Sequence, residues 1–340
     1  MNTDTLYEEI LGLVPFHSDK TDFRDVLRSA LNRYGKILPM LDEGDRPDNW
    51  NNILKRTQQH IDRLQSIATH SYKGLPSSAY NILRYLLSEY QKNDILPWTE
   101  VPTGSNFYRV RLFNERRTNI RYDEMFHIPI SQRRMVKTQR YSTPGFPCLY
   151  IGNSIYGCWE EMGRPTMSSC WASLLKTKIP IKLLDLRIPD KDSFMEDFTR
   201  YVQLFPLFIG CMIPVKNGSD IYKPEYIIPQ LLIEWIIKNK EFGIYYTSAQ
   251  KSIDFEYPPS KSDNIALPVR KPLLNVDICP ELAKIFQISD PLNNEIEQLK
   301  SDYPADYGAY DGKDPLMENY QTSNFYYLEE RLQKQGLFDL

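Results

Sequence analysis

Through the first hundred residues, apolar positions recur every three or four residues. Beyond them the apolar stretches become short runs separated by turns. The first pattern is that of amphipathic helices and the second that of strands. In DFRDVLRSALNRYG, Phe23, Val26, Leu27, Ala30 and Leu31 share one helical face, and Gly35 stands where a helix stop is expected. Ile53, Leu54, Ile61, Leu64 and Ala68 repeat at the same spacing, as do Leu83, Leu86, Leu87 and Tyr90. ILPWTEVPTGSN then brings Pro97, Pro102 and Gly104 close together, which predicts a boundary. After it, FYRVRLF (107–113), PCLYIGN (147–153), IKLLDLRIP (181–189) and IYYTSA (244–249) read as strands, with a helix over about 226–240 ahead of the last. The class is therefore α+β. A helical region spans 1–100, a mixed domain 105–275, and an extension 276–340 that is acidic and turn-rich in SDYPADYGAYDGKDP and ends in the helix NFYYLEERLQKQ.

Composition narrows this picture. With 41% hydrophobic and 25% charged residues in a chain of 340, a sizeable folded core is expected. The net charge of −3 gives no electrostatic case for wrapping nucleic acid. MNTDTLYEEILGLV carries acids where a signal peptide has Lys or Arg, and no run of about 18 apolar residues occurs, so a cytoplasmic protein without a membrane span is expected. Five cysteines without CxxC spacing and four scattered histidines predict reduced thiols and no metal site.

Three places carry candidate chemistry. Between Arg109 and Arg140 lie nine basic side chains against Glu115, Asp123 and Glu124, a local excess that suits phosphate recognition; a solvated basic loop is the alternative. Arg109 stands apart, because it shares a strand face with Phe107 and Arg111 in FYRVRLF. In SIYGCWEEMG, a helix capped by Ser154 sets Glu160 and Glu161 one turn beyond Tyr156 and Gly157, where one carboxylate can be solvated and the other held near the core. Ser248 follows the tyrosine-rich strand. No GxSxG elbow surrounds it and no histidine lies near it, so a serine-hydrolase triad is not expected, and neither GxGxxG nor GxxxxGK[ST] is present.

Taken in order, these pieces resemble the RES family, named for its Arg, Glu and Ser. FYRVR resembles the family's early arginine strand, QRYSTPG with Arg140 and Tyr141 its GRW-or-Y element, and CLYIGNS its LYxA/G strand. The eleven residues from Tyr150 to Glu161 match the family's spacing to its glutamate and select Glu161 over Glu160, and GIYYTSA is similar to the element bearing the serine, here Ser248. The resemblance covers about 105–275 and departs from the family in the longer stretch between Arg109 and Arg140. It implies a split-sheet core similar to ADP-ribosyltransferases and NAD+ as the substrate. It also implies a toxin neutralised by an Xre-type antitoxin.

By that resemblance the catalytic residues are Glu161, Arg109 and Ser248, and Arg140, Tyr141 and Tyr150 hold NAD+. Cleavage of the nicotinamide–ribose bond passes through an oxocarbenium-like state that a buried carboxylate stabilises. The acceptor is left open between water (glycohydrolase), phosphate (phosphorylase) and a protein side chain (ADP-ribosyltransferase). The rival is a non-catalytic module gripping RNA through the arginine-rich segment. A homo-oligomer is compatible with everything in the sequence.

Overall fold

The amphipathic stretches form four helices, α1 (Thr3–Leu11), α2 (Phe23–Ile37), α3 (Trp50–Tyr72) and α4 (Pro76–Lys92), in a computed structural model that describes residues 1–14, 22–113, 117, 119–249, 263–270, 276–293, 320 and 323–340. Gly35 does not end α2, which runs on to Ile37. It sits where α3 crosses, and a Cβ there would stand 3.3 Å from Ile61 Cδ1, so the glycine serves close packing rather than termination.

Five strands and three helices follow: β1 (Trp98–Val101), β2 (Asn106–Leu112), β3 (Cys148–Gly152), α5 (Ile155–Glu161), β4 (Cys170–Thr177), β5 (Ile181–Leu186), α6 (Lys191–Glu196) and α7 (Phe198–Met212). Then come α8 (Ile227–Lys238), β6 (Ile244–Thr247), β7 (Asp263–Pro268), the single turn α9 (Pro280–Ala283), β8 (Phe286–Ser289), α10 (Asn324–Gln333) and β9 (Leu337–Asp339). The nine strands form one mixed sheet in the order β1-β5-β6-β7-β3-β2-β4-β8-β9, in which only β5 and β6 are parallel. The fold is α+β.

The two halves of this sheet barely hold together in the middle. β2 meets β3 at one register pair, Tyr108 with Gly152, whereas β2 meets β4 at seven and β3 meets β7 at five. Past that pair the central strands diverge.

The helical region and the sheet share a core. Residues of α1 to α4, α7 and α8 pack in one hydrophobic cluster with Leu184, Leu186, Ile244, Tyr246 and Ala266 of β5, β6 and β7. The segment expected to be a linker contains β1, which pairs with β5. The hinge of this shared core is α7. Its Pro206 has no N–H to offer the carbonyl of Val202, four residues back, and a proline ring also crowds the preceding turn. The neighbouring helices answer for the orphaned carbonyls. Tyr34 Oη of α2 donates to Val202 O at 2.6 Å, and Gln203 O accepts from Tyr90 Oη of α4 at 3.1 Å and from His60 Nδ1 of α3 at 3.2 Å.

The region beyond 275 is likewise not a separate appendage. β8 and β9 extend the sheet from β4, and α10 packs on α5 and β4. All of SDYPADYGAYDGKDP lies outside the described residues.

Candidate functional site

The divergence of β2 and β3 leaves the Tyr150 carbonyl facing an opening, and Arg109 fills it: Nη1 donates to Tyr150 O at 2.6 Å. Nε is buried with no partner among the described residues, and no described carboxylate lies within ion-pair distance of this guanidinium. Burial pushes its pKa down to about 9, and the nearby charge of Arg111 acts in the same direction. Removing a cation from water without a counter-ion is costly. The fold tolerates that cost at this position.

Arg109 borders a cavity of about 250 Å³, close to the lower end of ligand pockets of about 300–1,000 Å³. Arg140, Tyr150, Tyr226, Tyr246 and Glu161 also line it. Glu161 arrives there because β3 ends at Gly152 and α5 starts three residues later, at Ile155. Ser154 caps α5, its Oγ accepting from Gly157 N at 2.9 Å, as the sequence predicts. Gly152 is required for the approach. A Cβ at that position would lie 2.7 Å from Cys158 Sγ of α5 and 2.9 Å from Asn264 Oδ1 of β7.

The Ser248 hydroxyl, buried at the end of β6, donates to Glu161 Oε2. Burial raises the phenol pKa of Tyr246 well above 10, and the Glu161 charge adds to the effect; Tyr226 is raised too, by burial first. Both rings therefore stay neutral beside the carboxylate. Glu160 turns elsewhere, accepting from Tyr156 Oη at 2.7 Å and pairing with Arg164.

The remaining sequence candidates have other partners. Arg140 lines the cavity, but Nη1 donates to Cys211 O at 2.7 Å, and Nη1 and Nη2 both donate to Ile213 O at 3.2 Å. Its charge is thus spent largely on the carbonyls that end α7, with the guanidinium 5.2 Å from the Tyr226 ring centre. Tyr141 is not on the cavity wall. Its ring lies in the core against Tyr246, at 4.7 Å between centres, and its backbone braces the cavity wall, the N–H donating to Tyr150 Oη at 3.1 Å and the carbonyl accepting from Cys148 Sγ at 3.2 Å. Tyr150 does line the cavity.

Two tyrosines of the cavity wall are not among the sequence candidates. Tyr246 lies on β6 two positions before Ser248, which follows the strand's last residue, so strand alternation continued by one residue would have pointed to it. Tyr226 sits in a turn ahead of α8 with no local pattern to mark it. The basic segment between Arg109 and Arg140 is also quieter than its charge count. Arg117 pairs with Glu124 at 2.9 Å, Arg121 pairs with Asp123 at 2.9 Å, Arg133 donates to Gly145 O at 2.9 Å, and Arg111 is held by Glu124 O. Arg116 and Glu115 lie outside the described residues.

Among the described residues no group of three or more His, Cys, Asp and Glu is placed to hold a metal ion, and no helix is long and apolar enough to cross a membrane. Fold and site together define an α+β protein whose mixed sheet presents a half-buried guanidinium and a hydroxyl-held carboxylate to one cavity.

No protein-family model matches the chain, and no solved structure matches it. Over 216 residues it is 37% identical to a protein of Bacillus subtilis (strain 168) named "Putative toxin YopC", an alignment taking in 58% of this chain and 48% of that protein. The chain thus spans about half the length of that relative.

Proposed function

We propose that the cavity binds NAD+ and breaks its nicotinamide–ribose bond. The observation that carries this reading is the half-buried guanidinium of Arg109, without a counter-ion among the described residues, on the same cavity as the Ser248-held carboxylate of Glu161. A pyrophosphate supplies the anion that Arg109 lacks, and a guanidinium fork suits its oxygens. A ribosyl carbon that becomes cationic supplies a reason to aim a carboxylate into a cavity walled by tyrosine rings. When the C1′–N bond breaks, nicotinamide leaves with the bonding electrons as a neutral base and C1′ takes on oxocarbenium character. Glu161 stabilises that charge. Ser248 fixes one carboxylate oxygen, leaving the other for the ribose. Tyr150, Tyr226 and Tyr246 offer neutral ring faces to the nicotinamide and its ribose.

Water as acceptor gives ADP-ribose and a proton, inorganic phosphate gives a phosphorylated ADP-ribose, and a protein side chain gives an ADP-ribosylated target. We favour the first two, NAD+ degradation. Loss of NAD+ would arrest a cell, which agrees with the toxin name of the relative. A neutralising partner, expected to be an Xre-type antitoxin, completes this reading. The test is to incubate the purified protein with NAD+, with and without inorganic phosphate, and to identify the products by mass spectrometry. Free nicotinamide with ADP-ribose or its phosphate is expected. A labelled protein instead makes the enzyme a transferase, and unchanged NAD+ overturns the proposal.

A further inference from the structure

α5 carries Glu161 yet is only seven residues long, too short to hold its direction unaided. Its capping serine is local, but its other N-terminal support comes from far along the chain. Ile155 N donates at 2.7 Å to Oε1 of Glu329, 174 positions later on α10. Glu329 is 3% exposed, and the same oxygen accepts from Tyr320 Oη at 2.5 Å. A carboxylate this deeply buried is costly unless hydrogen bonds satisfy it. The rest of α10 grips the same unit. Phe325 packs on Tyr156 and Trp159 of α5, with ring centres 5.3 and 5.4 Å apart. Gln333 Nε2 donates at 2.6 Å to Oη of Tyr108, the β2 residue at the single pair joining the two sheet halves.

We infer that Glu329 is a positioning residue for Glu161, and that the C-terminal helix is thereby part of the active machinery. The inference rests on the reading of Glu161 as the catalytic carboxylate. A seven-residue helix is roughly 10 Å long, so a tilt of about 10° at its anchored end moves the far end by about 2 Å. Misplacement by an ångström can lower a rate by about 100-fold. Glu329 is not among the residues that line the cavity. It acts through the direction of α5, and an amide in its place keeps the acceptor.

The experiment compares Glu329→Leu and Glu329→Gln with the parent full-length chain. It measures kcat and KM for NAD+ loss, cooperative unfolding, and hydrogen exchange of the peptide spanning α5. Glu329→Leu is expected to lower kcat about 10- to 100-fold with KM within about threefold, and to speed exchange in α5 while α3 is unchanged. Glu329→Gln is expected to restore most of both. A Glu329→Leu protein that unfolds cooperatively with kcat within twofold of the parent overturns the inference, as does unchanged exchange in α5. If Glu329→Leu does not fold, Tyr320→Phe removes one hydrogen bond to the same oxygen and is read by the same criteria, with a smaller fall in kcat expected. A parent protein that leaves NAD+ intact defeats the earlier proposal alone, and the exchange comparison then decides this one.

Discussion

Arg109 is a cation that the fold keeps without a counter-ion, and Glu161 is a carboxylate that it holds with a hydroxyl rather than with a cation. In the proposed reading each is an arrangement completed by the ligand, the arginine by the pyrophosphate and the carboxylate by the ribosyl cation. This has a consequence for stability. In Arg109→Met the lost hydrogen bond to Tyr150, worth about 1 kcal/mol, is offset by relief of a buried unpaired charge. The unfolding free energy should therefore stay within about 1 kcal/mol of the parent, while NAD+ affinity measured by calorimetry falls at least tenfold. A loss above about 3 kcal/mol in stability would make the arginine a structural strut. Sequence spacing distinguished Glu161 from Glu160, and the structure shows a physical basis for the difference. Glu160 is engaged by Tyr156 and Arg164 on one side of α5, and Glu161 faces the cavity. The spacing could not show that Arg140 terminates α7 or that Tyr141 turns inward. Both depend on α7, an element whose partners are remote in sequence.

At the scale of elements, the legible pieces were those with one clear face. α2, α3 and α4 carry a single apolar stripe, and β2 and β3 are bounded by turns. β4 escaped notice because CWASLLKT is buried on both faces over nearly its whole length and so shows no alternation. α7 is apolar on every side and contains Pro206, which reads locally as a helix breaker. The helix persists because Tyr34, His60 and Tyr90 take up the carbonyls that the proline disturbs. Tyr34→Phe leaves Val202 O buried and unsatisfied with no change in packing volume. It should cost about 1–3 kcal/mol, read from the midpoint of urea unfolding. A midpoint unchanged from the parent would show that α7 satisfies itself.

For the whole molecule, the helical region, the sheet and the described C-terminal segment form one packed body. The boundary that prolines suggested near residue 100 separates textures and not cores. Two histidines tie this body to pH. His60 and His127 are buried, and burial lowers both pKa values from 6.5 to about 4. His127 is used at both nitrogens as a neutral ring, Nδ1 with Ile128 O at 2.8 Å and Nε2 accepting from Cys279 N at 2.8 Å. The unfolded chain takes up a proton at each near pH 6.5 and the folded chain does not until near pH 4. Their contribution is therefore complete above about pH 6.5 and is lost as pH falls toward 4, at up to about 1.4 kcal/mol per pH unit for each. Urea unfolding at pH 7 and pH 5 should differ by roughly 4 kcal/mol, and His60→Gln should remove about half of that difference. Equal stability at the two pH values would contradict the burial of neutral imidazoles.

The central claim is that Glu161 stabilises a ribosyl cation in the cavity that Arg109 opens to an anion. Release of nicotinamide from NAD+ by the purified protein and by Glu161→Gln, each first shown to unfold with the same midpoint, tests it most directly. Steady release by the parent and a rate at least about 100-fold lower in the variant are expected. Equal rates in the two proteins would contradict it.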